Sequence, residues 1–293
     1  MPLSGPEFQI PKSLLWLNRR EDGRDWLRSL SDLLEAAQSS FNLDLSGPPF
    51  SGGNVSYVLP AKKDGVDAVL KIAFIDRESR HEADALKLWN GNGAVKLLAH
   101  DAELGALLLE RCRPGDLLAE ASGIDQMEVL TGLLQKLLVP ANTPFSSLAS
   151  EAEIWATTMH PDWIRAGKPC EQRLVDAAVE ALKSLAQDQT EKVLLHQDLH
   201  GHNILSADRD AWLAIDPKPL SGDPAFCLSP IVRSSEFGHT KRAALYRLDR
   251  LSADLGLDRE RARCWTIGQT MAWAFSSDQA YKHFDTARWL LGS

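Results

Sequence analysis

Residues 194–219 read LLHQDLHGHNILSADRDAWLAIDPKP and bring His196, Asp198, His200, His202, Asn203 and Asp216 together between apolar, strand-like runs. Three chemistries use such a set: a transition-metal site, a general base beside a bound cation, or a hydrogen-bonded turn. A zinc site would use the His196–His200 spacing, which places two imidazoles on one face of a helix. The local sequence argues against that helix. DLHGHN carries a Gly and an Asn in its last turn, has no Glu beside the first His, and runs straight into the strand-like NIL.

As a loop followed by a hairpin, the same residues do different work. NIL and WLAID are short β-like runs around the polar ADRD segment. A hairpin centred near Arg209 and Asp210 sets Asn203 and Asp216 roughly across from each other. Their oxygens suit Mg²⁺, a hard cation that takes few protein ligands and keeps its other positions for water and phosphate. Asp198, in the loop just before, is placed to face the same space and accept a proton from an attacking hydroxyl. A base, an Asn–Asp pair on Mg²⁺ and a distant Lys on phosphates are the parts of a phosphoryl-transfer site. Taken singly, each of these residues also reads as a turn cap.

Such a site needs elements that hold a nucleotide, and the first third of the chain offers them. A glycine turn lets backbone N–H groups approach phosphate oxygens, and SGGNVSYV supplies Gly52, Gly53 and Asn54. Lys71 lies in AVLKIAF, a strand whose apolar neighbours make a buried cation with a carboxylate partner one reading and an edge residue reaching solvent the other. Glu82, near the start of the following helix, is the natural partner, with Glu78 as the competing choice. LLLERC would place backbone groups of Glu110 and Cys112 at a hinge between lobes, where an adenine edge can hydrogen-bond.

The periodicity around these residues is mixed first and helical later. EDGRDWLRSLSDLLEAAQSSFNL spaces Trp26, Leu30, Leu33, Leu34 and Ala37 as a helix does. Two β-rich runs joined by PAKKDG follow, then a helix in RESRHEADALKLWNGNG stopped by Gly91 and Gly93, then two strands around a polar turn at 101–105. Pro114 and Gly115 break the composition. Beyond them the chain is mostly helical, as in IDQMEVLTGLLQKLLVP, EQRLVDAAVEALKSLAQ and residues 259–291, with the 194–219 stretch as the one clear β interruption. The expected fold class is therefore α+β with two lobes. Residues 1–110 form a small mixed, β-rich nucleotide-binding lobe, and residues 111–293 a larger, mainly helical catalytic and substrate-binding lobe.

Composition narrows the partners. A formal net charge of −8 argues against nucleic acid, whose phosphates would be repelled, and is compatible with a cationic small substrate. Glu151, Glu153, Glu171 and Glu236 are the carboxylates considered for such a substrate, although each singly reads as a solvated surface group. No apolar run approaches the roughly 20 residues that span a bilayer. The first residues lack the basic, apolar and small-residue pattern of a leader peptide. Cys112, Cys170, Cys227 and Cys264 are scattered without the close pairs of a zinc site, which fits reduced cysteines in a cytoplasmic protein. Trp265, Trp273 and Trp289 read chiefly as helix-packing residues.

HQDLHGHNIL followed by AIDPKPLSGDPAF resembles the aminoglycoside phosphotransferase family. With SYV and EADALKLWNGNGAVKLL upstream, the wording is most similar to its streptomycin 6-phosphotransferase and hydroxyurea phosphotransferase branch, over about residues 50–235. The resemblance implies a protein-kinase-like fold and transfer of phosphate from ATP, with Mg²⁺, to a hydroxyl of a small antibiotic-like acceptor. It implies Asp198 as catalytic base, Asn203 and Asp216 on magnesium, and Lys71 on the nucleotide phosphates, held by Glu82. It also implies that His196 braces the loop and Asp223 orders the segment after Asp216. Two positions depart from the family, which usually carries Gly where this chain has Gln197 and His202. A β-carbon there strains the loop or alters its path, and Gly201 is the residue expected to restore the turn. Kinases of other small metabolites (sugars or amino alcohols) share the same catalytic parts, and a pseudokinase that only binds nucleotide remains the non-enzymatic alternative.

Overall fold

The computed structural model describes residues 9–188 and 191–293. The expectation of no leader peptide rests in part on residues 1–8, which lie outside the described residues. The chain divides into two compact units, Met1–Arg113 and Pro114–Ser293.

The first unit opens with a 3₁₀ helix, Lys12–Arg19, and the helix α1, Glu21–Phe41. Leu27, Leu30, Leu34, Ala37 and Phe41 recur at helical spacing and are buried, so this face of α1 packs into the core. The helix stops at Asn42, which takes the left-handed conformation at φ 54°. The strands β1 (Leu43–Leu45), β2 (Ser56–Lys63) and β3 (Val66–Ala73) follow. Asp64 and Gly65, both at positive φ, form the two-residue turn that joins β2 to β3 with Lys63 opposite Val66. After the helix α2 (Glu82–Trp89) come β4 (Leu97–Asp101) and β5 (Ala106–Glu110). Among the described residues these strands make one antiparallel sheet in the order β1-β2-β3-β5-β4. Leu70, Ile72 and Leu108 of the sheet share a core with Leu14, Leu17 and Leu30.

Helix α2 begins later than its sequence pattern suggests. Asp76 accepts the N–H groups of Glu78 and Ser79, and the Ser79 hydroxyl donates to the Phe74 carbonyl. These side-chain bonds offer the backbone a turn in place of a helix, so residues 76–79 form a separate turn.

The second unit is built on helices. They are α3 (Gln126–Leu137), α4 (Leu148–Arg165), α5 (Gln172–Gln187), the short α6 (Ser229–Arg233), α7 (Lys241–Leu255), α8 (Arg259–Ala274) and α9 (Ala280–Leu291). Helix α8 is buried along much of its length, including the fully enclosed Trp265. The β content exceeds the single interruption expected from the sequence. Strand β6 (Ser146–Ser147) pairs in parallel with β10 (Leu220–Gly222), which pairs antiparallel with β7 (Val193–Leu195). Two residues of β6 carry no periodicity to read. The hairpin β8–β9, Ile204–Ser206 with Trp212–Ala214, stands beside this small sheet in sequence. No helix among the described residues is long and apolar enough to cross a membrane.

Candidate active site

In the first unit, the Lys71 ammonium lies 2.7 Å from both carboxylate oxygens of Glu82. Both residues are buried, at 5% and 2% exposure, so the charge of each is compensated inside the sheet–helix layer. Lys71 reaches this position because β3 presents it opposite Val58 of β2 and Leu107 of β5, while Glu82 opens α2. Gly52, Gly53 and Asn54 lie in the connection from β1 to β2, where Gly52 has φ 102°. A β-carbon on Gly53 would come within 2.7 Å of the Ser56 carbonyl oxygen. At the end of β5 the Glu110 N–H donates to the Lys96 carbonyl and the Glu110 carboxylate accepts the Lys96 N–H. That N–H is therefore committed, and Cys112, two residues on, is a buried cysteine outside any disulfide.

In the second unit, Asp198 stands between two cations. Arg233 Nη2 donates to Oδ1 at 3.2 Å, and Lys218 Nζ lies 3.4 Å from Oδ2. Both cations also sit over the Trp273 ring, with Lys218 Nζ 4.9 Å and the Arg233 guanidinium carbon 4.4 Å from its centroid. Burial depresses the Arg233 pKa, opposed by the negative charges of Asp198 and Glu236. A guanidinium remains charged at neutral pH even so. The aspartate is thus oriented by charge-assisted contacts on both oxygens.

The loop carrying Asp198 is braced from several sides. His196 is buried and its Nε2 donates to the Ile215 carbonyl at 3.0 Å, while its own carbonyl accepts the Lys218 N–H. Burial lowers its pKa to about 4, so the ring is neutral near pH 7 and carries its proton on Nε2. Gln197 takes φ 62° with its side chain buried, and its carbonyl accepts from Gln269 Nε2 of α8. This is the left-handed region that costs a non-glycine residue about 1–2 kcal/mol, the reason a glycine suits the position. His202 shows no such strain, because its φ is not positive. Gly201 takes up the tight place instead. A β-carbon there would lie 2.9 Å from backbone atoms of Ala119 and 2.8 Å from the Phe237 ring.

The hairpin register differs from expectation by one residue. Ile204 pairs with Ala214 and Ser206 with Trp212, which centres the turn on Arg209. The Ile215 N–H donates to the Asn203 carbonyl at 2.9 Å, so Asn203 faces Ile215 and Asp216 lies one step further on. Asp216 takes φ 57°, a turn that redirects the chain at this point. Asn203 Nδ2 donates to the Asp198 carbonyl at 2.9 Å, which commits the amide nitrogen and leaves Oδ1 as the end able to ligate a cation. Two oxygen donors on neighbouring backbone fit a hard cation that draws its remaining ligands from water and phosphate. His196 is engaged on Ile215, and His200 places Nδ1 3.2 Å from Glu236 and Nε2 3.8 Å from Asp198 Oδ1 and 3.4 Å from Asn203 Nδ2.

Glu236 was considered as a contact for a cationic substrate, and the structure gives it a different task. Its Oε1 accepts the Gly201 N–H at 2.9 Å as well as meeting His200. Burial alone would raise its pKa, but the hydrogen bond and charge of His200 bring it down to about 2. Glu171 is likewise occupied, by Arg288. Asp223 accepts the Ala225 N–H, both Arg261 Nε and Nη2, and the Trp265 indole N–H, fixing the segment after Asp216 onto α8. Sequence reasoning missed Arg233, Lys218 and Trp273. Lys218 had a local signal, two residues beyond Asp216 in the same extended run. Arg233 and Trp273 had none, since Arg233 reaches Asp198 from α6 and Trp273 meets the two cations from the end of α8.

Comparisons with known proteins find relatives over most of the chain. The family of aminoglycoside/hydroxyurea antibiotic resistance kinases matches residues 46–281. A streptomycin 6-kinase of Streptomyces glaucescens is 36% identical over 86% of this chain and 84% of its own length. A hydroxyurea phosphotransferase of Kitasatospora aureofaciens is 34% identical over 91% of this chain and 79% of its own. Among solved structures, a choline kinase from Streptococcus pneumoniae superposes with a TM-score of 0.62 at 16% identity, covering 90% of this chain and 99% of its own. That likeness carries the protein-kinase-like fold.

Proposed function

The chain belongs to the aminoglycoside/hydroxyurea antibiotic resistance kinase family, and from that premise we propose that it moves the γ-phosphoryl group of ATP to a hydroxyl of a small antibiotic-like molecule. The acceptor is of the streptomycin/aminoglycoside or hydroxyurea type, and phosphorylation inactivates it in the cytoplasm, where ATP is available. The observation that carries this reading is Asp198, held on both oxygens and set one hydrogen bond from Asn203. Asp198 accepts the proton of the attacking hydroxyl. Lys71, locked by Glu82, holds nucleotide phosphates, with the backbone of Gly52, Gly53 and Asn54 beside them and an adenine edge on Glu110 and Cys112. Asn203 and Asp216 hold Mg²⁺, which supplies charge neutralisation on the phosphates. Positioning and electrostatic stabilisation account for most of the acceleration in such transfers, because the migrating group needs little covalent help.

The test is an ATP-consumption screen with streptomycin, hydroxyurea, other aminoglycosides, and common sugars and amino alcohols. Turnover with an antibiotic, lost by roughly 10² to 10⁴ in Asp198→Ala while ATP affinity stays within a few-fold, supports the reading. Turnover only with a metabolite would reassign the substrate, and ATP binding without any turnover would make this a nucleotide-binding scaffold. The net charge of −8 favours a cationic acceptor. Its KM then rises with ionic strength, since the Debye length shrinks from about 10 Å at 0.1 M to about 3 Å at 1 M.

A further inference from the structure

The 3₁₀ helix Lys12–Arg19 is unusual for its eight residues, because such helices seldom run beyond three or four. In this geometry side chains at i and i+3 eclipse, so three rows run along the helix, and two of them make contacts that matter here. One row is Leu14 and Leu17, both at 0% exposure in the core with Leu30 and Leu70. The other is Ser13 and Trp16, and both reach the glycine turn. Ser13 Oγ donates to the Gly53 carbonyl at 2.6 Å, and Trp16 Nε1 donates to the Asn54 carbonyl at 2.7 Å. The buried row anchors the helix, and the second row ties successive carbonyls of the turn to it.

A trans peptide is planar, with its carbonyl and N–H on opposite sides. Holding the Gly53 carbonyl therefore aims the Asn54 N–H away from the tether, and holding the Asn54 carbonyl does the same for the Val55 N–H. Among the described residues, the N–H groups of Gly52, Gly53 and Asn54 donate no hydrogen bond. The Gly53 and Asn54 carbonyls are thus spent on the tether, and the Asn54 N–H on the opposite side of its peptide is unspent. We infer that Ser13 and Trp16 are positioning residues for the nucleotide phosphates, acting through the turn they hold; this rests on the reading of Gly52, Gly53 and Asn54 as the phosphate-binding turn.

The experiment compares Ser13→Ala, Trp16→Phe and the double variant with the full-length native enzyme, and includes Lys71→Ala as a control. Affinity is measured for ATP and for adenosine, together with acceptor KM and thermal midpoint. Both side chains are partly exposed, so folding is not at stake. Each single variant should weaken ATP by roughly twofold to tenfold, the worth of one neutral hydrogen bond. Adenosine affinity, acceptor KM and the thermal midpoint should stay in place, and Ser13→Thr should restore ATP binding. Unchanged ATP affinity in the double variant, with Lys71→Ala still weakening ATP, would overturn the tether while leaving the nucleotide assignment intact. Equal losses for ATP and adenosine, or a parallel drop in thermal midpoint, would show a structural role only and overturn it too. If Lys71→Ala leaves ATP binding unaltered, the nucleotide assignment itself falls and takes the tether with it.

Discussion

Arg233 donates to Asp198 at 3.2 Å while its guanidinium lies 4.4 Å from the centre of the Trp273 ring, so one side chain joins Asp198 to an aromatic platform on α8. Lys218 makes the corresponding contacts with the other carboxylate oxygen and the same ring. Among the described residues, Asp198 is held entirely by those of the second unit.

Loss of either cation should therefore misplace the carboxylate without removing it. Arg233→Met is expected to lower kcat by roughly 10²-fold, the cost of a displacement of about 1 Å at a reacting group. Lys218→Met should cost less, because Arg233 still holds one oxygen. ATP affinity should change little in either. Steady-state kinetics beside nucleotide titration checks this, and a native kcat in the Arg233 variant would show that the pair is structural.

Asp216→Asn removes an anionic oxygen but keeps the shape and the tolerance of a left-handed backbone. The variant should fold normally and lose nearly all magnesium-dependent transfer, with zinc unable to restore it. Near-native turnover at ordinary magnesium concentrations would contradict the metal assignment.

His196 couples stability to pH. Its folded pKa of about 4 lies below the ordinary value of 6.5, so the unfolded chain binds the extra proton between these values. Stability should fall as pH drops from about 6.5 toward 4, by on the order of 3 kcal/mol from this residue once the window is crossed. His196→Gln keeps a donor for the Ile215 carbonyl but cannot titrate. Urea unfolding of the two proteins between pH 7.5 and pH 5 should show the steeper acid loss in the native chain. Parallel curves would remove His196 from the account.

Gly201→Ala places a methyl group against the Ala119 backbone and the Phe237 ring. Overpacking of this kind costs about 1–3 kcal/mol, and here it also shifts the loop that carries Asp198. Both the thermal midpoint and kcat should fall. His202→Gly, at a residue without backbone strain, should bring no gain in stability.

Much was legible in the sequence because it depended on local pattern. The α1 stripe of leucines, the Asp64–Gly65 turn, the Lys71 strand and the hairpin after Asn203 all follow from spacing within one element or between sequence neighbours. The one-residue offset of Asn203 from Asp216 was not legible, since a hairpin's register depends on where its turn closes. The late start of α2 depended on side-chain bonds from Asp76 and Ser79 that propensity does not register.

Read alone, the sequence determined which candidate site residues exist and in what order: Lys71, Glu82, Asp198, Asn203 and Asp216. Only the tertiary structure decided what holds them. Arg233 meets Asp198 across 35 positions of chain and rests on Trp273 of α8, Glu236 turns from a supposed substrate contact into a brace for Gly201, and Ser13 and Trp16 bond to the glycine turn. Chemistry resides in residue types that a sequence states outright. Orientation comes from contacts between distant elements, whose partners are chosen by packing and by the need to pair every buried charge.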